Sequence, residues 1–417
     1  MELRSSILRE LQARDFIHQC TDFEGLDDGI FQPPATAYVG FDCTAPSLHI
    51  GNLISIMMLR WWQKKGHRPI VLLGGATTRI GDPSGKEETR KLLDEESIEK
   101  NIQRIKNCFQ KYLKFEDSPA GALLVNNRDW LDDLNYINFL RDYGRHFSVN
   151  RMLGFDSVKM RLEREQNLSF LEFNYMVFQA YDFLELSRRH DCILQIGGAD
   201  QWGNIVNGME LARRIDQKQI FGLTSPLITT ANGQKMGKTA SGAVWLDASM
   251  TSPWDYWQYW RNVDDKDVGR FLRLFTDIPV EKIVEMERPE YGINDAKISL
   301  ADEATSMLHG AEILSEIHAG VEASFGGDSD KESSAIPSVG ISRETLQQEY
   351  GLLKALVAVK LADTNSEARR HVRDGAVRVN GEIIKDEKHH LMTTDITPNQ
   401  TIKLSVGRKK HALLRIE

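Results

Sequence analysis

The chain has 417 residues, 41% of them apolar and 27% charged, with a formal net charge of −8. This ordinary globular composition has no apolar run near the roughly 20 residues that cross a bilayer, which excludes an integral membrane protein. The negative balance excludes a broadly nonspecific binder of nucleic acid, and the length leaves room for two or three domains.

In chain order, "MELRSSILRELQARDFIHQC" mixes charges with apolar residues at helical spacing. It lacks the continuous apolar core of a secretory signal, so cytoplasmic residence is expected. Cys20, Cys43, Cys108 and Cys192 are far apart with no CxxC pair, which predicts reduced, mostly buried thiols and no zinc.

Three segments then read as strand followed by helix. "TAYVGFD" is β-prone, and "LHIGNLISIMMLRWWQKKG" runs at helical spacing up to Gly66. "RPIVLLGGATTRIGDPSG" is a buried-strand pattern that breaks into a glycine-rich loop, and "DCILQIGGADQWGNIVNGMELARRI" repeats strand, glycine turn and helix. Strands separated by helices imply parallel pairing with right-handed crossovers, so an α/β sheet is predicted with ligands at the carboxyl ends of its strands.

From about Pro253, "SPWDYWQYWRNVDDKDVGRFLRLF" through "LADEATSMLHGAEILSEIHAGVEASF" reads as amphipathic helices. Gly326 to Gly340 is rich in Gly, Ser, Asp and Pro and is the expected linker. Beyond it, "NSEARRHVRDG" reads as a short basic helix and "AVRVNGEII" as a hairpin turning at Asn380-Gly381. From Arg369 to Glu417 there are 11 Lys or Arg against 6 Asp or Glu, a local balance of +5, which leaves −13 elsewhere. An acidic body carrying a module for a polyanion is the reading.

His49 follows Ser47, a predicted N-cap, and so is placed in a helix's first turn, where an imidazole can donate to a phosphate oxygen. An isolated histidine there is more often structural. In "ANGQKMGKTASG", Lys235 and Lys238 flank a glycine in a polar turn that can carry two charges and the Thr239 hydroxyl to a polyphosphate. A P-loop is rejected, because three residues separate Gly233 from Gly237 where that motif has four.

"HIGN" near the amino terminus with "KMGKT" nearly two hundred residues later resembles the paired nucleotide-binding signatures of class I aminoacyl-tRNA synthetases. With "YVGFD", "GGATTRIGDPSGK", "FNYMVFQAYDF" and "QIGGADQWGN" in the same order, the chain resembles the bacterial-type tyrosyl-tRNA synthetases over nearly its whole length. The resemblance implies a Rossmann-like parallel-sheet catalytic domain with a dimer-forming insertion at 1–228. A mobile lysine loop and helical domain would follow at 229–325, a linker at 326–340 and a small α+β RNA-binding domain at 341–417.

It also implies roles. Tyr38 and Asp182 would bind the phenol hydroxyl of tyrosine; Tyr175, Gln179 and Asp82 would surround its ammonium, with Gln195 and Gln201 lining the pocket. A site built to hydrogen-bond a substrate hydroxyl rejects the analogue lacking it, an effect for which this family is itself the standard example. Asp200 would hold the ribose, Gly40, Asp42 and Gly198 would approach adenosine, and Thr44 and His49 would grip the γ-phosphate. Lys86, Arg90, Lys235, Lys238 and Thr239 complete the expected pyrophosphate clamp, with Lys238 also counted among the ATP contacts. Two positions depart from common class I patterns: Asn52 stands where a second histidine is usual, its amide still able to donate to ribose or phosphate, and Gly237 offers only backbone.

Arg369, Arg370, Arg373, Arg378 and Lys385 are the expected tRNA contacts, and Phe170 matches a central position of a homodimer interface, with an intramolecular core as its alternative. ATP enters as substrate with Mg²⁺ accompanying it and no dedicated protein metal site. The expected partners are L-tyrosine, tRNA(Tyr) and a second copy of the chain, with no DNA or membrane. Three rivals fit less well: a tryptophanyl-tRNA synthetase, disfavoured by Tyr38 with Asp182, a nucleotidyltransferase sharing only the histidine motif, and a noncatalytic RNA-binding relative, which should have lost His49, Lys235 or Asp200.

Overall fold

The computed structural model describes residues 3–83, 93–231, 233, 236–239, 242–325, 336–348, 350–407 and 410–417. The chain divides into two compact units: 1–238 with 243–247 and 263–303, and 239–242 with 248–262 and 304–417.

The first unit is built on a six-stranded sheet in the order β1-β6-β5-β2-β3-β4. Its strands are β1 (Gln19–Cys20), β2 (Thr36–Phe41), β3 (Arg68–Leu73), β4 (Leu123–Asn126), β5 (Cys192–Gly198) and β6 (Phe221–Ser225). All neighbouring pairs are parallel except β1 with β6, which is antiparallel. Nearly every residue of β2, β3 and β6 is buried, the pattern of strands covered on both faces, which is why they read as apolar runs without alternation. Chain order runs outward from β2 through β3 to β4 on one side and from β5 to β6 on the other. The reversal between β2 and β5 opens a crevice at the strands' carboxyl ends, where Tyr38 and Gln195 are register partners.

Two helices bound that crevice. Ile50–Lys64 buries Leu53, Ile56, Met57, Met58, Leu59 and Trp62, and each such side chain contributes about 1.5–3 kcal/mol on leaving water. The predicted N-cap Ser47 is not the cap: the helix starts one residue after His49, whose own ring takes that role, while Ser47 Oγ donates to Leu48 O. Phe170–His190 opens with a capping box between Ser169 and Glu172 and ends at Asp191 in the left-handed region. Its buried Tyr175 and Asp182 and half-buried Gln179 share one face, as their spacing of four and three requires.

The helix Val268–Phe275 is tied to this body at both ends. Near its start, Asp267 Oδ2 accepts from Ala231 N (2.8 Å) and Arg270 donates to Thr229 O, gripping the stem of the lysine loop. Near its end, the buried Arg14 donates to the carbonyls of Arg273 (3.0 Å), Thr276 (3.2 Å) and Ile278 (2.8 Å), with its guanidinium 3.9 Å over the Trp61 ring.

In the second unit, a five-stranded sheet runs in the order Glu382–Ile383, Val377–Val379, Thr401–Val406, Lys410–Ile416, Ser338–Ile341. The end of the expected linker is thus an edge strand, pairing in parallel with Leu413–Ile416, while 326–335 lie outside the described residues. The basic helix Asn365–Arg373 forms as predicted, and the hairpin turns at Asn380 (φ 47°) and Gly381 (φ 92°), the two positive angles that a two-residue turn of this kind demands. Leu356, Val372, Val377, Ile402, Leu404 and Leu414 form its core.

Candidate active site

The crevice between β2 and β5 is a cavity of about 500 Å³. Its walls carry every described residue expected to bind tyrosine: Tyr38, Asp82, Tyr175, Gln179, Asp182, Gln195 and Gln201. Gly40, Asp42, Thr44, His49, Asn52, Gly198 and Asp200 line it too, so residues spread from 38 to 201 converge on one space.

At its closed end Asp182 is buried, and burial pushes its carboxyl up to about 7. Two donors oppose that shift: Asn127 Nδ2 reaches Oδ2 at 3.0 Å, and Trp130 Nε1 reaches Oδ1 at 2.8 Å. Burial, with Asp182 nearby, raises the Tyr38 phenol well above its ordinary value and keeps it a neutral hydroxyl. Tyr38 OH and Gln195 Oε1 are buried and have no partner among the described residues. Uncompensated polar atoms cost about 1–3 kcal/mol each, so a pocket presenting two of them beside a carboxylate is shaped for a polar guest.

Further out, the side chains form a relay. Gln201 Nε2 donates to Asp82 Oδ2 (2.9 Å), Gln179 Nε2 to Gln201 Oε1 (3.2 Å), and Asn204 Nδ2 to Gln179 Oε1 (2.8 Å). Tyr175 OH donates to Asp42 Oδ1 (3.1 Å), which Thr77 Oγ1 also reaches (3.0 Å). The expected tyrosine-side and nucleotide-side residues are therefore hydrogen-bonded to each other.

The helix N-terminus carries two residues expected at the phosphates, His49 and Asn52. His49 Nδ1 accepts from Gly51 N (2.9 Å), and Asn52 Oδ1 accepts from His49 N (3.1 Å). Because Nδ1 is an acceptor, a neutral ring carries its proton on Nε2, the nitrogen that can donate. Asn52 keeps its amide hydrogens for another acceptor. The lysine-loop region meets this turn through backbone: Ile50 N donates to Val244 O (3.0 Å) and Val244 N to Gly237 O (3.1 Å). At Gly237 φ is +87°, and a Cβ there would stand 3.1 Å from Gly51 N, so the position needs glycine for both angle and space.

Lys86, Arg90 and Lys235 lie outside the described residues, as do the side chains of Lys238 and Thr239, whose backbone forms a two-residue strand. In the tail, Arg369 (3.2 Å) and Arg373 both pair with Glu387. Arg370, Arg373 and Lys385 are exposed and Arg378 is half-buried. Phe170 is 70% exposed, which removes the intramolecular-core alternative.

Sequence reasoning missed Asn127, Trp130 and Asn204. "NNRDW" stands at the carboxyl end of β4, the edge where ligands gather in such sheets, so its position was the available signal.

Residues 32–326 match the family described as tRNA synthetases class I (W and Y), and 330–414 match the Tyrosine--tRNA ligase SYY-like C-terminal domain. The chain is 52% identical over 413 residues to a tyrosine–tRNA ligase of Nitrobacter winogradskyi, covering 99% of each. It is 53% identical to that of Xanthobacter autotrophicus, over 99% of this chain and 98% of the relative. Among solved structures, a C-terminally truncated mitochondrial tyrosyl-tRNA synthetase of Aspergillus nidulans superposes with a TM-score of 0.69 at 29% identity, over 77% of this chain and 95% of that one. With both halves matched and the relatives spanned from end to end, the chain belongs to the tyrosine–tRNA ligases of the class I aminoacyl-tRNA synthetases.

Proposed function

We propose that the cavity divides the ligase reaction between its two ends. The observation that carries this reading is the unpartnered pair Tyr38 OH and Gln195 Oε1 beside Asp182. A phenol hydroxyl accepts from Tyr38 and gives its one proton to the Asp182 carboxylate, which leaves Gln195 Oε1 for a second donor of the substrate, its ammonium. Phenylalanine would leave the buried Tyr38 hydroxyl without a partner and take from Asp182 the donor that the phenol brings. The Tyr175, Gln179, Asp82 and Gln201 relay offers carboxylate and amide oxygens to the substrate ammonium.

Tyrosine bound this way directs its carboxylate at the nucleotide-side turn. Its oxygen attacks the α-phosphorus of ATP, and pyrophosphate leaves. No general base is needed, since a carboxylate is already a nucleophile, and catalysis comes from alignment and charge stabilisation. Thr44 and His49 Nε2 donate to the departing phosphates, Asn52 to ribose or phosphate, and Asp200 accepts from the ribose hydroxyls. Gly40, Asp42 and Gly198 lie against adenosine, and Lys86, Arg90, Lys235, Lys238 and Thr239 neutralise pyrophosphate. A hydroxyl of the tRNA's terminal adenosine then attacks the tyrosyl carbonyl and AMP departs.

Mg²⁺ enters with ATP, carried by its phosphate oxygens. Arg369, Arg370, Arg373, Arg378 and Lys385 hold the tRNA backbone; phosphate contacts of this kind position the RNA without reading its bases. The chain acts as a homodimer, with the exposed Phe170 at the centre of its interface. Cytoplasmic residence suits its four free cysteines. No helix among the described residues is long and apolar enough to cross a membrane.

Tyrosine-dependent exchange of labelled pyrophosphate into ATP, with phenylalanine and tryptophan as controls, tests the division. Asp182→Ala should lose selection for tyrosine, and retained discrimination against phenylalanine would refute its role. Sedimentation of Phe170→Glu should show monomers where the parent gives dimers.

A further inference from the structure

The turn Asp42–Cys43–Thr44 joins β2 to the His49 helix, and its middle peptide is held from both sides by buried side chains of other elements. Thr78 Oγ1 accepts from Cys43 N at 2.8 Å and passes its own proton to Gly74 O at 2.5 Å. Asn101 Nδ2, from the helix Glu95–Phe109, donates to Cys43 O at 2.9 Å. Cys43 is fully buried, Thr78 is 5% exposed and Asn101 is 9% exposed, so water does not substitute for either bond. Thr77, beside Thr78, holds the Asp42 carboxylate. Thr44 itself is exposed to the cavity.

The two bonds fix both the amide and the carbonyl of the residue that precedes Thr44. A backbone turn left to itself samples several φ/ψ wells, whereas one held on both sides of a buried residue, at its amide and at its carbonyl, keeps the next hydroxyl in place before substrate arrives. Only a hydroxyl can serve Thr78's double part, accepting one proton while donating another. Neither residue reaches the cavity wall, so neither touches substrate.

We propose that Thr78 and Asn101 are positioning residues for tyrosine activation, acting through the Cys43 peptide to hold Thr44 against the departing phosphates. This rests on the reading of Thr44 given above.

The test is a double-mutant cycle read by pyrophosphate exchange on the full chain, with tyrosine affinity measured separately by equilibrium dialysis. Asn101→Asp, close in shape but without the donor, should slow exchange about tenfold or more, because small misplacements of a reacting group carry costs of that order. Thr78→Val should do the same, and Thr78→Ser should restore the rate. Tyrosine affinity should stay within about twofold in all three, which also reports that the variants fold. In a Thr44→Ala background, which should itself be slow, Asn101→Asp should add less than about threefold, since the group it positions is gone. Full additivity, an unchanged rate in Asn101→Asp, or loss of tyrosine affinity in step with rate would overturn the proposal while leaving Thr44's role standing. A Thr44→Ala variant at full rate would remove that role and the proposal with it.

Discussion

Trp130 donates its indole proton to Asp182 Oδ1 at 2.8 Å across 52 residues of sequence, and with Asn127 it completes the shell of a carboxyl that burial has pushed up to about 7. The group to which we assign the choice of tyrosine is thus poised to titrate near neutrality.

The ionised carboxylate is much the stronger acceptor of the phenol proton, so tyrosine binding should follow Asp182's ionisation. With the free-state carboxyl near 7, the ionised fraction falls about tenfold between pH 8 and pH 6. Tyrosine dissociation constants should rise by that factor over the interval. Phenylalanine, with no proton to donate, should show no matching trend, and a flat tyrosine profile would count against the assignment.

Trp130→Phe removes one hydrogen bond to the charged form. The carboxyl should therefore titrate at a higher pH, and the loss of tyrosine affinity on acidification should begin earlier. The same titration, repeated on the variant, reads the direction of the shift; movement to lower pH is the adverse result.

Substitutions can separate the cap that His49 Nδ1 makes from the phosphate contact we propose for its Nε2. His49→Asn keeps a capping oxygen, so thermal stability should hold within about 0.5 kcal/mol while activation slows. His49→Ala should slow activation and also cost about 1 kcal/mol of stability, with little change in tyrosine affinity. Equal melting of the two variants would argue against the capping role.

Gly237→Ala should weaken ATP use without touching tyrosine binding. An alanine at φ +87° is strained by about 1 kcal/mol or more, and its Cβ would press on Gly51 N. The Michaelis constant for ATP or the exchange rate should suffer at least severalfold; an unaltered enzyme would mean that the turn relaxes freely.

Arg14→Ala would strip donors from three carbonyls that close the Val268–Phe275 helix and leave Glu10 with Lys65 alone. Urea unfolding should show a loss of about 3 kcal/mol. A change within 0.5 kcal/mol would mean that water replaces the guanidinium.

The sequence by itself determined the elements and the chemistry. Apolar runs ending in glycine turns located β2, β3 and β5, the four-and-three spacing of Tyr175, Gln179 and Asp182 put them on one helix face, and the order of the motifs identified the family. These are local or linear properties, and periodicity and motif order record them directly. Which residue caps the His49 helix depended on a side-chain angle, and the requirement for glycine at 237 on an approach to Gly51, 186 positions away. The partners of Asp182 and the clamp on Cys43 came from the segment after β4, the 77–79 turn and the Glu95–Phe109 helix, whose relation to the site exists only after the sheet has set strand order. Hydrogen bonds between buried side chains far apart in sequence leave no periodic trace, so only the tertiary structure decided them.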